Sequence, residues 1–276
     1  MNETLKLLDL FSGIGGFSYG FERTNRIKTI AFCEKDQFCK SVLKKHWSNI
    51  KIYNDVRDIR GSEIQADIVS GGFPCQPFSV AGKQRGKDDD RYLWDETLRV
   101  VAETKPRWFV GENVDGIINI ANGSVLQQIQ KDLEAESFQV QCLVIPASGI
   151  GAWHQRKRVW IIGHNLSNTI GKLSDGCSST TRTSEAKHQR LVSDEKRNWN
   201  EVRSKVERCS EQDSWWETEC KFRGVPDGVS TKLHKDRQNR IKALGNSIVP
   251  EIAYEIAKAI LSAEGLSNAN GNGYSR

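Results

Sequence analysis

The chain has 276 residues, 37% of them hydrophobic and 27% charged, which is enough apolar material for a real core and sets aside disordered and fibrous classes. No apolar run approaches 18 residues and the N-terminus lacks the regions of a secretory leader, so neither a membrane span nor export is expected. The net charge of +5 permits a nucleic-acid partner, and seven cysteines without a C-x-x-C suit free thiols in a reducing cytoplasm better than disulfides or a metal site.

Residues 6–11 (KLLDLF) form a short apolar run that predicts a buried strand. A glycine turn follows at 12–16 (SGIGG), and Phe17, Tyr19, Gly20 and Phe21 open a helix. Strand, glycine turn, helix is the first unit of a Rossmann-like sheet, where a ligand lies against the turn. The pattern is G-x-G-G, not the dinucleotide fingerprint, and a turn without a ligand is the alternative. Residues 28–32 predict a second strand ending at Cys33-Glu34-Lys35-Asp36. Glu34 falls about 20 residues past the turn, where an acidic residue commonly receives ribose hydroxyls. Its alternative is a surface carboxylate before a helix over 36–46 capped by Asp36. After a third strand at 50–53, Asp55 could accept from an adenine amino group with Val56 packed on the ring, or Asp55 could simply cap a loop.

Residues 66–70 predict a fourth strand that runs into Gly71-Gly72-Phe73-Pro74-Cys75-Gln76-Pro77-Phe78-Ser79. Two glycines free the backbone and two prolines bracket Cys75, which holds one thiol on the sheet rim. The polar loop at 80–91 suits closure over a substrate, or is plain solvated loop. A helix over 92–103 leads to a fifth strand at 106–110, ending at Gly111-Glu112-Asn113-Val114. Glu112 then shares a rim with Cys75, a catalytic pair in outline, unless it only stabilises a helix N-terminus. A helix over 125–136, a strand at 138–145, a turn at 149–154 and a strand at 159–163 follow. Alternation puts Arg156 and Arg158 on one face, to reach phosphate or substrate or to guard a sheet edge. From 164 to 237 polar residues dominate around Trp199, Trp215 and Trp216, which reads as a small, loop-rich second domain, part of it disordered without ligand. Pro250 opens a helix over 250–263 carrying Ile252, Ile256 and Ile260, and 264–276 reads as a disordered tail.

Together these stretches resemble the DNA (cytosine-5)-methyltransferase family of bacterial and phage type, collinearly over roughly 1–163 and 240–260. The resemblance implies an α/β, Rossmann-like S-adenosylmethionine-dependent methyltransferase sheet over 1–163 plus 238–263. It implies a short target-recognition domain over 164–237. LDLFSGIGG looks like the first cofactor motif, with Phe11, Gly13, Ile14 and Gly15 in contacting places. Glu34 and Asp55-Val56 fall at the ribose and adenine contacts, and GNSIVP implies that Asn246 and Ser247 return to the cofactor. GGFPCQPFS looks like the nucleophile motif with Cys75 as nucleophile and Pro74, Gln76 and Ser79 beside the base. Glu112-Asn113-Val114 is similar to the ENV motif, whose Glu holds the base, which implies Asn113 and Val114 beside that substrate. Residues 154–158 resemble Q-x-R-x-R, with Arg156 and Arg158 matching and His154 where Gln is usual. The motif ahead of GNSIVP is at best a short variant at 222–228.

The implied activity is methyl transfer from S-adenosylmethionine to C5 of a specific cytosine in double-stranded DNA. The base is flipped out and held through a covalent bond from Cys75 to C6. Arg156 or Arg158 would favour the thiolate, and a protonated or hydrogen-bonding Glu112 would stabilise charge at N3. The chain is expected to act in the cytoplasm as a monomer without a metal, with or without a companion restriction endonuclease acting on the same site. A tRNA cytosine-5 methyltransferase and a non-catalytic DNA-binding protein that keeps the fold are the alternatives.

Overall fold

The computed structural model describes residues 3–74, 93–167 and 231–266, with side chains from 237 onward in the last segment. The expectations for the 80–91 loop, for most of 164–237 and for the tail fall outside the described residues.

Seven strands form one sheet: β1 (Leu5–Leu10), β2 (Ile27–Cys33), β3 (Lys51–Tyr53), β4 (Ile68–Gly71), β5 (Trp108–Val114), β6 (Phe138–Pro146) and β7 (Lys157–Asn165). Their order is β3-β2-β1-β4-β5-β7-β6. The pairs β3/β2, β2/β1, β1/β4 and β4/β5 are parallel, while β7 runs antiparallel to β5. β4 is buried throughout and β1 and β5 each expose one residue, so their apolar runs lack alternation, as expected of parallel strands covered on both faces.

Helices α1 (Gly16–Glu22), α2 (Gln37–His46), α3 (Trp94–Thr104), α4 (Ser124–Ala135), α5 (Thr231–Asn246) and α6 (Pro250–Ala263) complete the described elements. On one face α6 packs on α1: a side chain on Gly20 would run into the Pro250 carbonyl and Ala253. On the other face Trp94 of α3 packs against Phe73 and Phe109 and donates its indole N–H to Asp132 of α4 at 2.7 Å. The opposite end of the sheet is tied to the end of α6. Glu264 accepts from Arg107 Nη1 at 2.6 Å and from Trp108 Nε1 at 2.9 Å, and Arg107 also bridges Asp67 and Glu3.

Element positions follow the sequence reading closely, and Asp36 caps α2 as expected, accepting from Phe38 N and Cys39 N. Two differences matter. β5 runs through Glu112 to Val114 instead of ending at 110, because β7 continues to pair with it after β4 stops at Gly71. α5 extends over Thr231–Asn246, a helix that weak hydrophobic periodicity concealed; of residues 237–246 only Ala243 is buried.

The chain divides into two compact units. The larger comprises 1–145, 157–168 and 230–276, and the smaller 146–156 and 169–229. The described part of the smaller unit is a closed loop in which Ala147 N donates to Gln155 O at 3.0 Å, Gly151 takes φ 89° and Trp153 stands 62% exposed.

Candidate active site

Chain order reverses between β1 and β4, since β1 leads outward to β2 and β3 on one side and β4 to β5 on the other. In open α/β sheets the crevice at the carboxyl ends of such strands is where ligands bind. The segments singled out from sequence leave the sheet there: 11–16 after β1, 34–36 after β2, 71–74 at the end of β4 and 112–114 at the end of β5.

The turn after β1 is built from unusual backbone. Phe11, Gly13 and Gly15 have φ of 51°, 55° and 87°; for Phe11 this is a sparsely populated conformation, which recurs where backbone is held for function. Gly13 has open space where a side chain would stand, whereas one on Gly15 would meet Trp47 and Leu43. Ile14 is half-buried. Ser12 Oγ donates to the Asp9 carbonyl at 2.6 Å and accepts from Cys33 N at 3.3 Å, which fastens the turn to β1 and β2.

Glu34 faces this turn. It accepts from Gly13 N at 2.6 Å and from Asp36 N at 2.7 Å, one amide to each oxygen. Burial pushes its carboxyl pKa above the ordinary value, against those same backbone bonds. Each oxygen has a second lone pair, so a hydroxyl can still donate to it. Asp36, by contrast, is held below the ordinary carboxyl range, first by the Cys39 amide and also by Lys242 of α5.

After β3 the loop is fixed from two sides. Lys40 Nζ, nearly buried on α2, donates to Asn54 Oδ1 at 2.8 Å. Arg99 of α3 donates to the Val56 and Ile59 carbonyls at 3.1 and 2.9 Å. Asp55 accepts from Arg57 N at 3.0 Å as a local cap, and the Val56 side chain lies in the core. The segment after α5 returns to the turn, because a Cβ on Gly16 would lie 2.7 Å from Ile248 Cγ1 and 3.0 Å from Ser247 Oγ. Asn246, the last residue of α5, is exposed.

On β4 the chain reaches Pro74, half-buried, one residue before Cys75; Cys75, Gln76 and Ser79 lie outside the described residues. Phe73 is buried toward α3, and its carbonyl accepts from Asn113 Nδ2 at 2.9 Å. Asn113, expected beside a substrate, is thus engaged in fixing the backbone two residues before the thiol, while Val114 is 46% exposed. Glu112 points to the other face. Its Oε1 pairs with Arg158 Nε at 2.9 Å, and its Oε2 lies 3.3 Å from where a Gly72 Cβ would stand. A side chain at 72 would therefore press on the carboxylate. The pair forms because β7 is antiparallel: Glu112 lies opposite Trp160, and Arg158 is its diagonal neighbour on the same face. Arg156, one residue before β7, belongs to the smaller unit.

The three thiols among the described residues are all made less reactive by burial. Burial, with Asp55 and Glu34 nearby, pushes Cys33 to about 12, and burial with Glu34 and Asp36 does the same to Cys39. Cys142 is also raised, by burial and then by Glu134.

Sequence reasoning passed over Asp9. It is wholly buried in β1, accepts from Ser18 Oγ at 2.8 Å and Ser70 Oγ at 3.0 Å, and burial raises its pKa to about 7. The available signal was one carboxylate inside an apolar run, KLLDLF.

Comparison with known proteins agrees with this geometry. Over 172 residues the chain is 34% identical to the type II methyltransferase M1.ScrFI of Lactococcus lactis subsp. cremoris, covering 62% of this chain and 44% of that one. It is 34% identical over 184 residues to the type II methyltransferase M.AquIA of Picosynechococcus, covering 60% of this chain and 74% of that one. The crystal structure of DNMT2 from Spodoptera frugiperda superposes with a TM-score of 0.53 at 21% identity, over 66% of this chain and 54% of the other, a likeness of fold. The chain spans about half or less of the first curated relatives it matches: 44%, 37% and 52% of their lengths. The family model for C-5 cytosine-specific DNA methylase matches residues 5–223, across the strand ends from the glycine turn to Glu112 and Arg158, and the chain belongs to that family.

Proposed function

We propose that this chain methylates C5 of a specific cytosine in double-stranded DNA, with S-adenosylmethionine as donor. The observation that carries the reading is that three adjacent strands, β1, β4 and β5, end in a glycine turn, a Gly/Pro-braced approach to a thiol, and a carboxylate paired with arginine.

The turn fits the donor. Gly13 leaves a cradle that a Cβ would fill, Glu34 can accept ribose hydroxyls, and Phe11, Ile14, Gly15, Asp55, Asn246 and Ser247 are the remaining residues that would hold it, while Val56 is taken up by the core. When bound, S-adenosylmethionine supplies an electrophilic methyl group. This chain supplies the rest. C5 of cytosine is a weak nucleophile, so Cys75 adds as thiolate to C6 and makes C5 enamine-like. Addition drives charge onto N3, where Glu112 shares a proton with the ring and Arg158 keeps the carboxylate aimed. Arg156 or Arg158 would favour the thiolate. Loss of the C5 proton to water or hydroxide and expulsion of the thiolate then restore the aromatic ring. C6 of a stacked base is out of reach, so the cytosine leaves the helix and Pro74, Gln76, Ser79 and Val114 frame it, with Asn113 holding the backbone at Phe73 behind them.

The protein acts as a monomer in the cytoplasm beside a restriction endonuclease that reads the same site. Residues 164–237 read the sequence. Among the described residues no helix is long and apolar enough to cross a membrane, which is compatible with that setting. Bisulfite sequencing of DNA from cells expressing the chain tests the proposal. Protected cytosines should fall in one short sequence and vanish with Cys75→Ser, while purified Cys75→Ser still binds S-adenosylmethionine. Unprotected DNA together with methylated tRNA would move the activity to tRNA.

A further inference from the structure

A carboxylate buried without exposure is costly to keep, and β1 keeps one, at Asp9, flanked by fully buried Leu8 and Leu10. Its two oxygens serve two different elements. Oδ2 accepts from Ser18 Oγ at 2.8 Å, and Oδ1 accepts from Ser70 Oγ at 3.0 Å. Ser18 stands in the first turn of α1, immediately after the glycine turn. Ser70 is the residue before Gly71-Gly72-Phe73-Pro74, the approach to Cys75. Both serines are wholly buried, and the Asp9 carbonyl also receives Ser12 Oγ from within the turn. A single residue is thus bonded to both segments that must meet for transfer.

β1 and β4 need no such clamp to pair, since they are joined in register with Asp9 beside Ser70. What the carboxylate adds is a fixed position of α1 and its glycine turn relative to the end of β4. We infer that Asp9 is a positioning residue that sets the spacing between the donor turn and the thiol-bearing segment, an inference that rests on the methyl-transfer reading above. Asp9 lies beneath the rim and touches neither reactant, so its effect passes through Ser18 and Ser70. A carboxylate that served only to fill the core would be replaced by an apolar residue without loss.

The two serines let the arms be cut one at a time with small changes. The measurements are S-adenosylmethionine affinity by calorimetry, single-turnover methyl transfer to duplex DNA, and the rate of adduct formation with duplex containing 5-fluorocytosine. Ser18→Ala should weaken cofactor binding about tenfold, as expected for losing one buried hydrogen bond. Ser70→Ala should leave cofactor affinity within about twofold and slow adduct formation about tenfold, through misplacement of the thiol segment. Asp9→Asn keeps one acceptor and gains one donor, so it should retain most of both functions, whereas Asp9→Ala should lose both. If Asp9→Ala fails to fold, the serine variants carry the test. Serine variants that shift only the melting temperature, with affinity and adduct rate as in the wild type, would overturn the positioning role while the wild-type activity upholds the methyl-transfer reading. A wild-type chain that neither binds S-adenosylmethionine nor forms the adduct would sink both.

Discussion

Replacing Arg158 probes how Glu112 is held. Arg158 Nε lies 2.9 Å from Glu112 Oε1, with the two side chains 20% and 11% exposed. At an effective dielectric near 20, unit charges about 4 Å apart attract by about 4 kcal/mol before desolvation is counted. Removing one partner of a fully buried pair costs about 3–5 kcal/mol. Partial exposure and the other contacts of Glu112 reduce that to about 2 kcal/mol for Arg158→Ala, since exposed pairs contribute little. For a chain of this size the melting temperature should fall about 4–8 °C. The rate should fall further than stability implies, about 10²–10³-fold, because a misaimed carboxylate no longer meets the charge developing at N3. Arg158→Lys keeps the cation but loses the planar guanidinium, so stability should recover more than rate. Scanning calorimetry and single-turnover transfer at saturating cofactor measure the two effects, and Glu112→Gln with Arg158→Ala closes a double-mutant cycle. Additive effects in that cycle, or an Arg158→Ala enzyme with unchanged rate, would refute the coupling.

Gly72→Ala places a methyl group 3.3 Å from Glu112 Oε2, so the carboxylate must shift by a fraction of an ångström. Transfer should slow about threefold to tenfold with little loss of stability, and a wild-type rate would mean that the carboxylate does not work from this place. Glu264→Ala removes the acceptor of both Arg107 and Trp108 at the far end of the sheet, and urea unfolding should show a loss of about 2–3 kcal/mol with cofactor affinity unchanged. Asp9 gives a pH signature. Its folded pKa of about 7 lies above the ordinary 3.8, so the folded chain holds this proton more tightly than the unfolded chain. The resulting stability is present below the ordinary value and is lost as pH rises through about 7. Relative to Asp9→Asn, which has no such titration, the wild type should lose roughly 1 kcal/mol per pH unit across that window. Glu34 is the other carboxyl whose charge acts on Asp9, so the comparison should be repeated in a Glu34→Gln background.

How much was legible before the fold was known depended on the range of the interactions. Strands β1, β2, β4 and β7, the Asp36 cap and α6 follow from local pattern, because apolar runs, capping side chains and an N1 proline act within a few residues. The placing of the glycine turn, the thiol segment and Glu112 on one rim follows from repeated strand-to-helix alternation. What escaped is long-range. The extension of β5 past Gly111 depends on β7, nearly fifty residues later, and the turning of Asn113 toward the Phe73 carbonyl depends on a contact forty residues back. α5 escaped for a different reason. Of its residues 237–246 only Ala243 is buried, so it has almost no apolar stripe to betray it.

The strand order explains why residues so far apart in sequence can act together. A parallel sheet places every strand's carboxyl end on one rim, so the distance between two functional groups is set by how many strands separate them, not by chain length. Here β4 inserts beside β1, between the glycine turn at 13–16 and the carboxylate at 112. The thiol segment therefore lies one strand from each, about 4.8 Å away in the pairing direction. Any other neighbour for β1 on that side would move the thiol segment a strand spacing away from the glycine turn or from Glu112. The buried Asp9–Ser70 bond sits at this junction and favours β4 over an apolar competitor, because a strand without a hydroxyl there would leave a buried carboxylate oxygen without that donor. The same contact lies beneath the rim on which the glycine turn and the 71–74 segment end.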